Sequence, residues 1–301
     1  MNYPQHVSIV EVGPRDGLQN EQAFVSTEDK VTLINLLSKS GLKNIEVTSF
    51  VSPKAIPQLI DNELVFKLID KPPTIHFSAL VPNERGLEKA LKVGLQEIAI
   101  FTAASETFNQ RNIHCSIAES LARFAIVLKL AKAHKIYVRA YISCALGCPY
   151  EGTILPKQVT FIAKELLALG ADEICLGDTI GVGTPKQTAI LINEILLALN
   201  IAQLAMHFHD TYGQAVANIF VSLQHGIRRF DSSVAGLGGC PYARGASGNV
   251  ATEDVLYLMH GLGIETGIDI YKIVEAGAMI CKVLGKKNQS KVANALLANQ
   301  G

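Results

Sequence analysis

Two histidines on one face of a strand are the first residues whose types and spacing could do chemistry. His207 and His209 lie in the run Leu-Ala-Met-His-Phe-His-Asp-Thr-Tyr-Gly, which begins as an apolar strand and ends as a turn. Side chains two positions apart on a strand point to the same side, so both imidazoles should project together. Converging imidazoles form half of a metal site, but buried histidines also serve as ordinary core residues. The spacing leaves both interpretations open.

A cation and a carboxylate stand side by side after the first predicted strand. Arg15 and Asp16 lie in the run Glu-Val-Gly-Pro-Arg-Asp-Gly, whose glycines and proline predict a rigid turn. Position at the end of a strand favours a functional pair over a solvated surface pair. Glu46 lies inside the second apolar strand, where a charge is costly without a partner. We expect Glu46 to pair with Arg15, as a structural contact, a functional one, or both.

The fifth and sixth strands add polar side chains near their carboxyl ends. Arg139, Tyr141 and Ser143 share one face of the fifth predicted strand. If that face is interior, Tyr141 and Ser143 lie at the end where a substrate would bind. Asp178 follows the sixth strand and is a candidate substrate or supporting carboxylate.

A glycine-rich run follows the eighth strand, over residues 235–249. It contains no Gly-Lys-Ser/Thr, so it is not a Walker phosphate loop, and its glycines predict a mobile lid. Cys240 in the middle of this run is expected to be an exposed thiol that can carry a proton. Asn249, just before a helix, is a helix cap or an oxygen ligand, and taken alone it fits the cap.

These residues must be positioned by an alternation of short β-branched runs and longer segments of helical period. The strands are predicted near Val7–Val12, Ile45–Thr48, Ile75–Val81, Glu97–Thr102, Tyr137–Ser143, Glu173–Leu176, Leu204–His209 and Phe230–Val234. The helices between and after them are predicted at Thr27–Ser40, Leu64–Ile69, Glu84–Val93, Ile117–His134, Pro156–Leu169, Pro185–Leu199, Gln214–Gly226 and Val250–Gly261.

Eight strand–helix units predict a (β/α)₈ TIM barrel. The competing architecture, a doubly wound open sheet, normally gathers its binding residues at one switch point. Here polar residues follow nearly every strand, as a barrel requires. We therefore predict a single catalytic domain, with a barrel over about 7–263 and a C-terminal extension over about 264–301. That extension should contain one additional helix, Ile270–Leu284, packed outside the barrel and followed by a polar tail.

The composition limits the classes of function. The chain has 301 residues, 49% hydrophobic, with 27 basic and 27 acidic residues, so it should be globular and should not bind nucleic acid. No apolar run is long enough for a transmembrane helix and no leader peptide is evident, which predicts a cytoplasmic protein without membrane association. The six cysteines form no Cys-x-x-Cys pair, and most are expected to be buried thiols.

Taken together, the motifs resemble those of the 3-hydroxy-3-methylglutaryl-CoA lyase family, and the resemblance runs nearly end to end. Its most specific segments are Glu11–Asn20, Thr48–Pro53, Ser143–Gly152, Gly177–Pro185, His207–Gln214 and Asp231–Asp254.

The resemblance implies a divalent-metal site. It assigns the ligands as Asp16, His207, His209 and Asn249, and the metal as Mg²⁺ or Mn²⁺. By ligand type alone, two imidazoles and two oxygens suit Zn²⁺ or Mn²⁺ at least as well as Mg²⁺.

The resemblance also implies the reaction, a divalent-metal-dependent carbon–carbon cleavage of 3-hydroxy-3-methylglutaryl-CoA to acetyl-CoA and acetoacetate, and it implies a homodimer. Arg15 would neutralise the thioester oxygen, and Cys240 would transfer a proton from the lid. Glu46 and Asp178 would be supporting acidic residues. The base that accepts the hydroxyl proton would be His207 or Asp16.

Two further hypotheses remain at this stage. One is a relative on the same barrel, either a condensing synthase of the isopropylmalate or homocitrate type or a lyase for a shorter or longer 3-hydroxyacyl-CoA. The Cys240 lid and the lack of a long C-terminal regulatory domain argue against the synthase. The other is a non-catalytic metal- or CoA-binding scaffold, which predicts the loss of an acid, base or cation that this chain retains.

Overall fold

The computed structural model describes residues 3–239 and 248–299. Within these ranges, eight parallel strands form a closed barrel in which each strand pairs with the next and the eighth pairs with the first. The strands are β1 (Ser8–Glu11), β2 (Asn44–Ser49), β3 (His76–Leu80), β4 (Glu97–Ala103), β5 (Tyr137–Ser143), β6 (Glu173–Asp178), β7 (Leu204–Phe208) and β8 (Arg229–Ser232). The predicted (β/α)₈ barrel is confirmed, and the doubly wound sheet is excluded.

At least one helix follows each strand and covers the outside of the barrel. The helices in the described ranges are α1 (Thr27–Ser38), α2 (Asn62–Leu68), α3 (Glu84–Lys92), α4 (Glu106–Ile113), α5 (Ile117–Ala133), α6 (Pro156–Leu169), α7 (Pro185–Leu196), α8 (Ala215–Gln224), α9 (Thr252–Gly261), α10 (Ile270–Leu284) and α11 (Lys291–Ala298). None of the helices described is long and apolar enough to cross a membrane.

The strands are buried on both faces because helices cover one face and the barrel interior closes the other. In β5, Val138, Ala140 and Ile142 belong to the large core between sheet and helices. Tyr141 points the other way, into a small interior cluster that also contains Cys175. The five cysteines in the described ranges are all buried, as predicted.

Within the barrel, one short helix was not predicted from the sequence. Helix α4 lies between β4 and α5, with Ser105 capping its first turn and His114 ending it in a left-handed conformation. Its eight residues carry too few apolar positions to give a helical period. Helix α7 ends at Leu196, three residues before the predicted Leu199.

The C-terminal extension contains two helices in the part described here. Helix α10 has the predicted bounds and packs against α1 and the turn Val234–Gly236. Helix α11 occupies the stretch that was predicted to be a polar tail. Ser290 caps it and donates a hydrogen bond to Asp254 of α9 at 2.7 Å. The division of the chain near residue 263 stays a prediction.

Candidate active site

The first strand ends in a tight helical turn, Gly13–Gly17, which places Arg15 and Asp16 at the mouth of the barrel. Glycine is required where this turn begins, because a Cβ on Gly13 would lie 2.6 Å from Oε1 of Glu11. That oxygen also accepts a hydrogen bond from the Gly13 amide at 2.8 Å. The local sequence therefore fixes where the two charged side chains emerge.

Arg15 is held by three partners. Its Nε donates to Glu46, and its Nη1 donates to Oδ1 of Asp16 at 2.6 Å. The hydroxyl of Tyr141 donates to Oε2 of Glu46 at 2.9 Å, and its ring lies 5.5 Å from the guanidinium carbon. Burial opposes the charge on Arg15, but the two carboxylates outweigh it and raise its pKa. The ion pair predicted between Arg15 and Glu46 is present.

Asp16, His207 and His209 form a cluster with the spacing of metal ligands. One possible ligand atom from each lies within 4.8 Å of the others. The Nε2 atoms of His207 and His209 are 4.0 and 3.8 Å from Oδ2 of Asp16, which is too long for hydrogen bonds. Burial would raise the pKa of Asp16, but Arg15 and the two histidines hold it well below its usual range. An ionised carboxylate and two imidazoles fit a divalent cation.

Asn249 reaches the same cluster from the loop after β8. Its side-chain nitrogen donates to Oδ2 of Asp16 at 2.8 Å and to the carbonyl of Leu237 at 3.1 Å. Helix α9 begins at Thr252 with Ala251 at its N-cap position, so the interpretation of Asn249 as a helix cap is wrong. Because the amide nitrogen faces Asp16, the assignment of Asn249 as an oxygen ligand stays a prediction.

A buried carboxylate that the sequence did not single out lies behind His207. Oδ2 of Asp231 is 3.0 Å from Nδ1 of His207, and its Oδ1 is 2.7 Å from Nη2 of Arg139. Arg139 also forms an ion pair with Glu173, at 2.6 Å. Its own strand, Arg-Phe-Asp-Ser, gave no signal comparable to the apolar strand that marked Glu46.

The site opens into a cavity of about 640 Å³ at the carboxyl ends of the strands. Tyr141 and Ser143 line it, which places both where a substrate could bind, and their roles stay predictions. Its polar lining includes Arg15, Asp16, His207 and His209. Its apolar lining includes Val51, Ile56, Leu80, Phe101 and Phe108.

Residues 6–280 match the HMGL-like family. The chain belongs to this family. Its members with solved structures include a hydroxymethylglutaryl-CoA lyase from Pseudomonas aeruginosa, 56% identical with a TM-score of 0.98, covering 99% of this chain and 100% of that one.

Two further relatives extend the comparison within the HMGL-like family. A cytoplasmic 3-hydroxy-3-methylglutaryl-CoA lyase from Danio rerio is 55% identical over 98% of this chain and 88% of its own length. The structure of an HMG-CoA lyase from Acinetobacter baumannii, in complex with coenzyme A and 3-methylmalate, has a TM-score of 0.93 at 37% identity, covering 98% and 96% of the two chains.

Asp178 has an intraloop role in this HMGL-like chain. Its carboxylate accepts hydrogen bonds from the backbone amides of Val182 at 3.1 Å and Gly183 at 2.9 Å. Burial raises its pKa to about 6, against the lowering effect of these amides. Asp178 thus holds the loop after β6 beside the site, and a direct part in catalysis stays a prediction.

Cys240, the predicted lid thiol, lies outside the described residues. The chain on its N-terminal side is anchored, because the side chain of Asn20 donates to the carbonyl of Gly239 at 3.0 Å. On the other side, the amide of Asp210 donates to the carbonyl of Gly248 at 2.9 Å. Both ends of the glycine-rich run therefore lie next to loops that carry site residues.

Proposed function

We propose that this chain is a divalent-metal-dependent carbon–carbon lyase that cleaves 3-hydroxy-3-methylglutaryl-CoA to acetyl-CoA and acetoacetate. The observation that carries the proposal is the placement of Arg15 beside the Asp16, His207 and His209 cluster in one cavity. Relatives that are more than half identical over nearly the whole chain carry the name of this lyase. A scaffold protein would not need to maintain a buried cation beside such a cluster.

Arg15 would stabilise the oxygen of the thioester enolate that leaves when the bond breaks. Glu46 and Asp16 hold its guanidinium on two sides, so little reorganisation is needed as charge develops. A positioned donor of this kind contributes about 3 kcal/mol to a transition state. Tyr141 adds to this support through Glu46 and is not free to act as an acid.

Asp16, His207 and His209, with Asn249 as a fourth candidate, would hold Mg²⁺ or Mn²⁺. A divalent cation bound there lowers the pKa of a coordinated hydroxyl group. His207 and Asp16 are the candidates to accept the hydroxyl proton, since both lie at the cluster and face the cavity. His207 could accept it only while its Nε2 is not bound to the metal, because an imidazole has no third nitrogen. Cys240 would then protonate the enolate carbon.

The apolar side of the cavity favours a second, broader substrate range. The relative from Pseudomonas aeruginosa is named 3-hydroxy-3-isohexenylglutaryl-CoA/hydroxy-methylglutaryl-CoA lyase. In this chain Val51, Leu80, Phe101 and Phe108 could face a larger alkyl group on carbon 3 of the substrate. Cleavage rates for 3-hydroxy-3-methylglutaryl-CoA and 3-hydroxy-3-isohexenylglutaryl-CoA, measured side by side, would test this breadth.

The main proposal is tested by a coupled assay of acetoacetate release. We expect cleavage with Mg²⁺ or Mn²⁺ and its loss on addition of EDTA, with recovery when the metal is restored. Condensation of acetyl-CoA with a 2-oxo acid, without cleavage of 3-hydroxy-3-methylglutaryl-CoA, would instead establish a synthase. Absence of both reactions with either metal would support a scaffold.

Cys240→Ala tests the thiol separately from the metal. We expect turnover to fall at least 100-fold, as for loss of a positioned general acid, while the metal stays bound. Cys281→Ala is the matched control, because that thiol is buried in α10 away from the cavity. Equal turnover in both variants would remove Cys240 from the mechanism.

The assembly and location of the enzyme belong to the same proposal. We infer a homodimer, which light scattering after gel filtration would test. We also infer a cytoplasmic location, as in the Danio rerio relative, although other relatives are named mitochondrial. Fractionation of the source cells would distinguish the two compartments.

A further inference from the structure

The two histidines of the cluster have different surroundings on the side away from Asp16. Nδ1 of His207 lies 3.0 Å from Oδ2 of Asp231, at hydrogen-bonding distance. Nδ1 of His209 is buried and has no hydrogen-bond partner within residues 3–239 and 248–299. His207 therefore has a defined partner at one ring nitrogen, whereas His209 has none in the described structure.

Asp231 is itself held in place. It is 1% exposed, and its second oxygen, Oδ1, lies 2.7 Å from Nη2 of Arg139. Arg139 is fixed in turn by Glu173, at 2.6 Å, and lies with its guanidinium carbon 5.1 Å from the centre of the Tyr141 ring. This contact is an ion pair without hydrogen-bond geometry, so the positive charge of Arg139 fixes Oδ1 of Asp231 electrostatically.

The side chains of Asp231 and His207 are brought together by the pairing of β7 with β8, in which these two residues are register partners. An ionised Asp231 accepts a hydrogen bond and cannot donate one. His207 must then carry its proton on Nδ1, which leaves the lone pair of Nε2 directed towards Asp16. Only a nitrogen without a proton can bind a metal.

We propose that Asp231, clamped by Arg139, is a positioning residue that fixes the tautomer and ring orientation of His207 for metal binding. The inference rests on the proposed metal site, but it concerns residues that would not touch the metal or the substrate. Asp231 acts through His207, and Arg139 acts through Asp231.

The substitution Asp231→Asn gives a sharp test because Arg139 would dictate how the new amide is oriented. Arg139 can only donate, so it would hold the amide oxygen and turn the NH₂ group towards His207. His207 would then accept at Nδ1 and carry its proton on Nε2, the wrong tautomer for the cluster. Asp231→Ala leaves the tautomer unfixed instead. If Asp231 fixes the tautomer, Asp231→Asn should lower Mn²⁺ affinity more than Asp231→Ala does, although asparagine fits the space better.

Two measurements follow this difference. In the metal-free full-length protein, ¹⁵N NMR of labelled histidines should show His207 protonated at Nδ1 in the unsubstituted chain and at Nε2 in Asp231→Asn. The His207 signals are assigned by their loss in His207→Gln. Titration with Mn²⁺, followed by the EPR signal of the free ion, should show affinity lowered 10- to 100-fold in Asp231→Asn and less in Asp231→Ala.

Glu173→Gln is the matched control, because Glu173 pairs with Nε of Arg139, whereas Asp231 pairs with Nη2. This variant disturbs the same buried ion network without changing the acceptor of His207. We expect lower stability, but an unchanged His207 tautomer and Mn²⁺ affinity.

The results separate failure of this inference from failure of the proposed metal site. If the unsubstituted protein binds no Mn²⁺, the metal site is wrong, while the NMR result still decides the tautomer. If it binds Mn²⁺ and Asp231→Asn keeps both the affinity and the Nδ1 proton, the positioning role is overturned. The role is also overturned if Glu173→Gln lowers the affinity as much as Asp231→Asn does, or if Ala proves more harmful than Asn.

Discussion

Two groups of buried carboxylates surround the mouth of this barrel, and they differ in what stabilises their charge. Glu46 and Asp231 each lie against an arginine. Glu11 and Glu253 are as deeply buried, but their recorded hydrogen bonds come from uncharged donors. Burial raises the pKa of Glu11 to about 7 and of Glu253 to about 8, whereas Arg139 and His207 overcome burial and lower the pKa of Asp231.

Glu11 connects two loops at the mouth of the barrel. Oε1 of Glu11 accepts from the amides of Gly13 at 2.8 Å and Val234 at 2.9 Å, and its Oε2 accepts from Thr252 at 2.7 Å. One carboxyl group thus joins the loop after β1, which carries Arg15 and Asp16, to the loop after β8. Because hydrogen bonding is its task, it does not need a cation nearby.

Glu253 does similar work at the start of the loop after β8. Both of its oxygens accept from the amide of Ala235, at 3.1 and 3.0 Å. Ala235 has a φ of 58°, in the left-handed region that residues other than glycine seldom adopt. Glu46 and Asp231 therefore position charged side chains of the site, whereas Glu11 and Glu253 hold the backbone of the neighbouring loops.

Glu46→Gln should lower both stability and activity, because it removes a charged partner of Arg15. It leaves the buried guanidinium of Arg15 with Asp16 alone, and loss of one partner of a buried ion pair costs about 3–5 kcal/mol. We expect the free energy of unfolding in urea to fall by about 3 kcal/mol and kcat to fall with it. The matched control is Glu253→Gln, also buried but without an ion pair. Equal losses in the two variants would erase the distinction between the groups.

The sequence allowed one member of the charged group to be predicted and not the other. Glu46 stood alone in an apolar strand next to the strand that precedes Arg15, so adjacency in a barrel was enough to pair them. Asp231 required the pairing of β7 with β8, because only that pairing sets it beside His207. Arg139 was placed on the correct face, but its partners come from β6 and β8, which no local pattern reveals.

The fold was predictable because it depends on local sequence patterns. The contacts of Glu11 were not, because they depend on residues distant in the sequence. Helices and strands with an apolar period report their own burial, which was enough to place the eight units and α10. Glu11 was read only as part of a motif, since its partners Val234 and Thr252 lie more than two hundred positions away. Helix α11 is only eight residues long, buries Ala293 fully and depends on its cap and on packing against α9.

The pH dependence of stability in the unsubstituted protein should report the raised pKa values of Glu11 and Glu253. The ordinary pKa of glutamate is 4.5, so Glu11 and Glu253 hold their protons more tightly in the folded state than in the unfolded state. Their contribution to stability is therefore complete below about pH 4.5 and is lost as the pH rises through about 7 and 8. We expect these two residues to lower the unfolding free energy by several kcal/mol between pH 5 and pH 9, since a tenfold change in proton affinity is worth about 1.4 kcal/mol. The measurement is urea unfolding at several pH values across this range. A free energy of unfolding that rises towards pH 9 would contradict the raised pKa values.

Glu253→Gln should change stability little at low pH, because it removes only the ionisation of this side chain. The amide oxygen of glutamine can still accept from Ala235, so at pH 5 the variant should be nearly as stable as the unsubstituted protein. At pH 9 the variant avoids a buried charge, and its loss of unfolding free energy from pH 5 to pH 9 should be smaller by several kcal/mol. Glu275→Gln, an exposed position on α10, is the control and should leave the slope unchanged. If instead Glu253→Gln is equally destabilised at both pH values, Glu253 is charged in the folded protein and belongs with Glu46 and Asp231.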